Sequence, residues 1–227
     1  MGRRKLKNKK VKNVKIRIVT DDGQVYAMQN DKKNAEMDES ICENPQKKIN
    51  LFLSYCWKDE KIADDIYDFL TQNTQVVIYR DKICIGAWRS IKEFMHMIAD
   101  MDYVILLISD SYLRSVNCMY EVLEVMRDRN YRERIFPAII NKGIYNALER
   151  VQCVKFWEEE YDKLNNALVG IKAQNIGGLG EDLKIRQNIA SNMADFLDDI
   201  ADMNNPREED VCSEIENRLK KVLLNLK

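Results

Sequence analysis

Histidine is nearly absent from this chain: His96 is the only one in 227 residues. Zinc sites draw on His and Cys ligands, so no metal site is expected. A Ser-His-Asp hydrolase would need that one residue. It falls within the helical spacing of Ile91–Ile98, where a surface or packing role is the expectation. There is no run of about 18 apolar residues, which excludes a membrane-spanning helix. No Walker loop, no GxGxxG and no internal repeat is present, and Gly177-Gly178-Leu179-Gly180 lacks the preceding strand that a phosphate loop requires. The six cysteines are scattered and none forms CxxC. The basic start is not followed by an apolar stretch, so it does not read as an export signal. Reduced thiols in a cytoplasmic protein are therefore expected. Gly2 invites a myristoylation reading, which Leu6 defeats by standing where Ser or Thr is required.

What is present is an ordinary globular composition, 45% hydrophobic and 32% charged, with a net charge of −1 that gives no bias toward nucleic acid or membrane. The exception is local. Residues 1–17 hold nine Lys or Arg and no acid, a pattern that usually marks a solvated tail, so nucleic acid is not the expected partner. Val14–Val19 and Gln24–Met28 flank a Thr20–Gly23 turn signal and predict a hairpin, with a polar linker over Asn30–Lys48. Ile49–Tyr55, Gln75–Tyr79, Tyr103–Ser109 and Arg134–Ile140 read as buried strands, the last demoted to an edge or bulge by Pro137. Helical spacing runs over Lys58–Leu70, Trp88–Ala99 and Asn117–Met126, with a loop over Arg80–Ala87. Strands alternating with helices argue for an α/β fold whose parallel sheet is covered on both faces. Beyond residue 143 the pattern is helical. Val151–Leu168 reads as one helix, with Cys153–Trp157 as a rival short fifth strand. Stripes at Leu183–Ile200 and Val211–Leu226 follow a Gln174–Gly180 break, with Asn205-Pro206 as a helix start. Such stripes either cover the domain or form an oligomer interface. The expected organisation is a tail, hairpin and linker over 1–48, a central domain over 49–160, and a helical C-terminal extension over 161–227.

Three ordered motifs carry a resemblance. Phe52-Leu53-Ser54-Tyr55 with Lys58-Asp59, Arg80-Asp81 with Gly86, and Ser109–Ser115 with Cys118 and Glu121 together resemble the TIR (Toll/interleukin receptor) domain, and the charged Trp157–Lys163 region is similar to that of stand-alone bacterial members. The resemblance implies a flavodoxin-like sheet of about five strands in the order 2-1-3-4-5. It implies one of two jobs: cleavage of NAD+ at the nicotinamide–ribose bond, as in many bacterial, plant and axonal members, or the scaffolding of signalling complexes, as in most animal receptors and adaptors. The enzymatic members' glutamate falls on Glu121, and their BB-loop aromatic falls on Trp88. Their frequent WxxxE tryptophan is replaced here by Asn117, and an acid often found before the opening strand's phenylalanine is Asn50. The family further implies homo-oligomers in which the BB loop of one subunit completes the site of another. Other TIR or defence-system proteins are possible partners, and a membrane is not.

One carboxylate suits that chemistry. Ordinary glycosidases need a second to protonate a leaving oxygen. The nicotinamide of NAD+ is already cationic and departs neutral, so what remains is to stabilise an oxocarbenium-like ribose. Glu121 is thus the expected catalytic residue, with NAD+ as substrate and no cofactor, and Ser54, Trp57, Asp81, Trp88 and Asn117 as substrate-binding candidates. Each has a plainer alternative. Glu121 is also a favourable acid near a helix N-terminus. Trp88 packs in a core as readily as it stacks on a base. Asp81 and Ser54 suit a loop or a backbone hydrogen bond, and Trp57 is a similar case. Cys118 reads as a structural thiol. The expected function is NAD+ hydrolysis or cyclisation in antiphage defence. The rivals are a non-catalytic TIR scaffold or host-mimicking effector, and a hydrolase using the same glutamate logic on another substrate.

Overall fold

The computed structural model describes residues 17–19, 25–27, 49–80 and 97–225. Asp81, Gly86, Trp88, His96, most of the helix expected over 88–99, the N-terminal tail and the linker lie outside them. The chain divides into two units, Met1–Pro45 and Gln46–Lys227. In the first, β1 (Arg17–Val19) pairs antiparallel with β2 (Val25–Ala27), with Ile18 opposite Tyr26. This is the hairpin its turn signal predicts.

In the second unit, short apolar runs alternate with amphipathic ones. The elements are β3 (Ile49–Ser54), α1 (Glu60–Asn73), β4 (Val76–Tyr79), β5 (Tyr103–Ile108), α2 (Asp110–Leu113), α3 (Val116–Met126), α4 (Tyr131–Arg134), β6 (Ile135–Ile139), α5 (Ala147–Leu168), α6 (Leu179–Asp202) and α7 (Val211–Asn225). The strands form one parallel sheet in the order β4-β3-β5-β6. Pro137 lies on β6, which among the described residues has β5 as its one strand neighbour, and a residue without an N–H is tolerated at an edge.

Of the about five strands expected, four stand among the described residues, in the expected order 2-1-3-4. The fifth candidate, Cys153–Trp157, lies inside α5. Val154, Trp157, Tyr161, Leu164 and Leu168 recur at the three- and four-residue spacing of one helix face, and α5 packs along α6. Asn205-Pro206 is likewise not a helix start. The Asn205 side chain donates to the Ile200 carbonyl at 2.8 Å, closing the end of α6, and α7 begins at Val211 after a single 3-10 turn.

The strand period of two divides the core into two layers. Phe52, Val104, Leu106 and Ile108 point to one face and join α3, Trp157 of α5, and the Ile189, Met193, Phe196, Leu197 and Ile200 stripe of α6. Leu51, Leu53, Ile105 and Leu107 point to the other and join α1 and Val211, Ile215 and Leu219 of α7. Both C-terminal stripes thus cover the domain.

Where β4 ends, Arg80 is buried. Its guanidinium donates to Asp64 of α1 at 2.6 Å and lies 5.1 Å over the Tyr55 ring and 5.4 Å over that of Tyr67. An aromatic sandwich suits the planar, weakly hydrated guanidinium. Asp64→Ala removes the acceptor while the cation stays enclosed. The expected loss is about 1–3 kcal/mol, less than for a fully buried pair because Asp64 is half exposed, and urea unfolding measures it.

Candidate functional site

Two strands set the position of the site. After β3 the chain turns into α1 on one face of the sheet, and after β5 it turns into α3 on the other. β3 and β5 are neighbours whose following helices go to opposite faces, so their carboxyl ends form the switch point at which open α/β sheets bind ligands.

Strand parity decides which residues meet there. Ser54 closes β3 on the same face as Phe52, toward α3. Its hydroxyl donates to Glu121 Oε2 at 2.5 Å, and its oxygen lies 2.7 Å from the Tyr112 hydroxyl. A serine has one proton to give, so Tyr112 is the donor in the second contact and the direction runs Tyr112 to Ser54 to Glu121. All three side chains are buried, Glu121 at 7% exposure. Burial, together with the nearby Cys118 and Glu121, holds the Tyr112 phenol well above its ordinary range, against the opposing effect of its Ser54 contact. Tyr112 therefore stays a neutral donor at physiological pH.

Local sequence builds each part. Ser109 closes β5 and caps α2, its oxygen accepting from the Tyr112 N–H at 3.0 Å. The same hydroxyl donates to Asp59 Oδ2 at 2.5 Å, tying the turn after β3 to the end of β5. Ser115 caps α3 by accepting from the Cys118 N–H at 3.4 Å. That start places Glu121 in the second turn, facing the sheet. Cys118, one turn earlier, directs its thiol to the Tyr55 carbonyl at 3.5 Å and is buried, consistent with a structural thiol. Behind α2, the fully buried Trp157 of α5 donates its indole N–H to the Leu113 carbonyl at 2.8 Å.

Of the residues singled out in the sequence, Ser54 and Glu121 come together directly. Trp57 stands on the 3-10 turn after β3 and is 71% exposed. Asn117 is exposed on the first turn of α3, so the buried indole of this layer comes from Trp157. Asp81 and Trp88 lie outside the described residues. Sequence reasoning missed Tyr112 as a partner of Ser54. Its only signal is the Ser109–Leu113 cap pattern, which shows that a turn of helix starts there but not which side chain points inward.

Ser54→Ala leaves Glu121 and Tyr112 each short of a buried partner. The expected cost is about 1–3 kcal/mol in thermal or urea unfolding. Tyr112→Phe, which removes only the outer donor, is expected to cost less, about 1 kcal/mol.

A parallel α/β sheet with a buried, hydrogen-bonded carboxylate beside the carboxyl end of β3 defines the class. The TIR domain family model matches residues 51–169, just over half of the 227-residue chain. The chain belongs to the TIR domain family, and its role is of the family's kind, signalling or NAD+ cleavage. No curated protein matches the chain. Among the described residues no helix is long and apolar enough to cross a membrane.

Proposed function

We propose that this protein is an NAD+ nucleosidase or cyclase. It cleaves the nicotinamide–ribose bond to give nicotinamide with ADP-ribose or a cyclic ADP-ribose isomer, in bacterial antiphage signalling. The observation that carries the reading is the Glu121 carboxylate, buried beside the carboxyl end of β3 and held there by the Ser54 hydroxyl. As the glycosidic bond lengthens, positive charge passes from the nicotinamide ring to the ribose. A preorganised carboxylate in a water-poor setting stabilises that charge more strongly than the same group in water. Nicotinamide leaves with the bonding electron pair and needs no proton, so a site with one carboxylate suffices. Water or an atom of the same nucleotide then takes the ribosyl cation, giving the hydrolysed or the cyclic product. Assembly through TIR–TIR contacts fits the family's habit.

Concentrated wild-type protein is expected to release nicotinamide from NAD+, and Glu121→Ala is not. Chromatography of the second product separates hydrolase from cyclase. No turnover by the wild type, even when artificially clustered, would sink the reading. It would leave the scaffold or host-mimicking role, which the exposed Asn117 favours because it stands where enzymatic relatives often carry tryptophan.

A further inference from the structure

Ser54 and Glu121 form one rung between the end of β3 and α3, and the next rung outward is made of thiols. Side chains alternate between the two faces along β3 and the extended residues that follow it. Phe52 and Ser54 face α3, and Leu53 and Tyr55 face α1. Cys56, with extended backbone at φ −81° and ψ 137°, faces α3 again and packs on that layer of the core. On α3, Cys118 stands three residues before Glu121, one turn nearer the helix start and on the same face. Its thiol is directed to the Tyr55 carbonyl at 3.5 Å. That oxygen and the Cys56 Cα share one peptide plane, so the Cys118 sulfur lies one peptide unit from the Cys56 backbone.

Both residues are thiols here. Cys56 is half-buried at the strand end, and Cys118 is buried behind it at 4% exposure. A thiol open to solvent with a second one behind it is the arrangement in which the first is oxidised and the second resolves it. Each sulfur turns on χ1 alone, so a rotamer change moves it without moving the backbone. The other two cysteines among the described residues suit this chemistry less well. Cys153 lies on α5, and Cys212 packs on the opposite layer. Burial pushes both of those thiols up, which leaves less thiolate to react.

We propose that Cys56 and Cys118 are a redox pair that closes into a disulfide when the protein meets a peroxide. The Cys56 sulfur takes one oxygen from hydrogen peroxide, giving a sulfenic acid and one water. The Cys118 sulfur then attacks the Cys56 sulfur. The S–S bond forms, the S–O bond breaks, and the hydroxyl leaves as a second water with the Cys118 proton. Two thiols are oxidised by two electrons and the peroxide is reduced; a dithiol or phosphine reverses the bridge. Cys56 lies beyond Ser54 and Cys118 lies before Glu121, so the bridge fastens the start of α3 to the end of β3 on the outer side of the carboxylate. One consequence rests on the proposed function. The residues in front of Glu121 can no longer part, and nicotinamide release stops until the bridge is reduced.

The full chain, treated in native buffer with equimolar hydrogen peroxide and then alkylated and digested, tests the pair. The peptide map is expected to join Cys56 to Cys118, and the intact mass to fall by two hydrogens. The melting temperature is expected to rise, because a cross-link between positions far apart in sequence restricts the unfolded chain. Tris(2-carboxyethyl)phosphine is expected to undo all three changes. Cys56→Ser and Cys118→Ala each abolish them. Cys56 is the less buried of the two, so its serine variant is expected to melt with the reduced wild type, which shows that the lost bridge is not a lost fold. A Cys56 that goes on to sulfinic acid, a bridge that maps to any other pair, or a mapped bridge that leaves the melt unchanged overturns the proposal. None of these readouts needs turnover. Nicotinamide release from the same samples tests the gate, and an oxidised protein as active as the reduced one overturns it. Release absent from the reduced sample as well would sink the proposed function, while the map and the melt still decide the bridge.

Discussion

Glu121→Gln is expected to stop the proposed nicotinamide release while the protein keeps its fold. The amide has the shape of the carboxylate, and its oxygen still accepts the Ser54 proton, so the buried contact at the end of β3 survives. What disappears is the negative charge that the proposed reaction sets opposite the ribosyl cation. Removing an electrostatic stabiliser of that kind costs on the order of 10²–10³ in rate or more. The measurement is nicotinamide by chromatography beside a thermal melt of the same sample. A rate near the wild type's would show that the carboxylate only packs. A large fall in melting temperature with the fall in rate would show that the charge serves the fold. The expected pattern, a lost rate with a preserved melt, separates the two.

Trp157→Ala produces the largest stability effect expected in the chain. The indole is fully buried among α2, α3 and α6, and its N–H is bonded to the Leu113 carbonyl. Truncating such a side chain costs about 3–5 kcal/mol. For a unit of this size, about 2–4 °C of melting temperature goes with each kcal/mol, so a fall of roughly 6–20 °C is expected. Trp157→Phe keeps most of the volume and leaves the carbonyl without its donor, at about 1–3 kcal/mol. Leu113 follows Tyr112 directly, so loosening this corner also loosens the donor that orders Ser54 and Glu121. A melt unchanged in Trp157→Ala would mean that the α5 side of the core contributes little.

Most of the frame can be read from residue order alone. β3, β5 and β6 stand out as short apolar runs with turn or cap signals at their ends, and the meeting of Ser54 with Glu121 follows once β3 and β5 are taken as neighbours. The parts that escape are those decided by contacts distant in sequence. Cys153–Trp157 has the apolar density of a strand, and only its continuation through Tyr161, Leu164 and Leu168 reveals the helix. Asn205-Pro206 has the composition of a helix start, yet the asparagine is taken by the Ile200 carbonyl behind it. Tyr112 sits in a one-turn helix too short for any periodicity to show, so its inward direction depends on the Ser109 cap and the Ser54 contact. Trp57, by contrast, is an aromatic beside a strand end whose short turn leaves it toward solvent.

The two-layered core makes the family span and the folding unit different objects. The TIR match ends at residue 169, but each face of the sheet is finished by helices that come later. Ile189, Met193, Phe196, Leu197 and Ile200 close one face, and Val211, Ile215 and Leu219 close the other. A fragment cut at the family boundary would present two bare apolar slabs to water and would be expected to aggregate. The last 58 residues are thus as much a part of the domain's solubility as its surface charges. Any transplant of the carboxylate site into another protein has to carry them along.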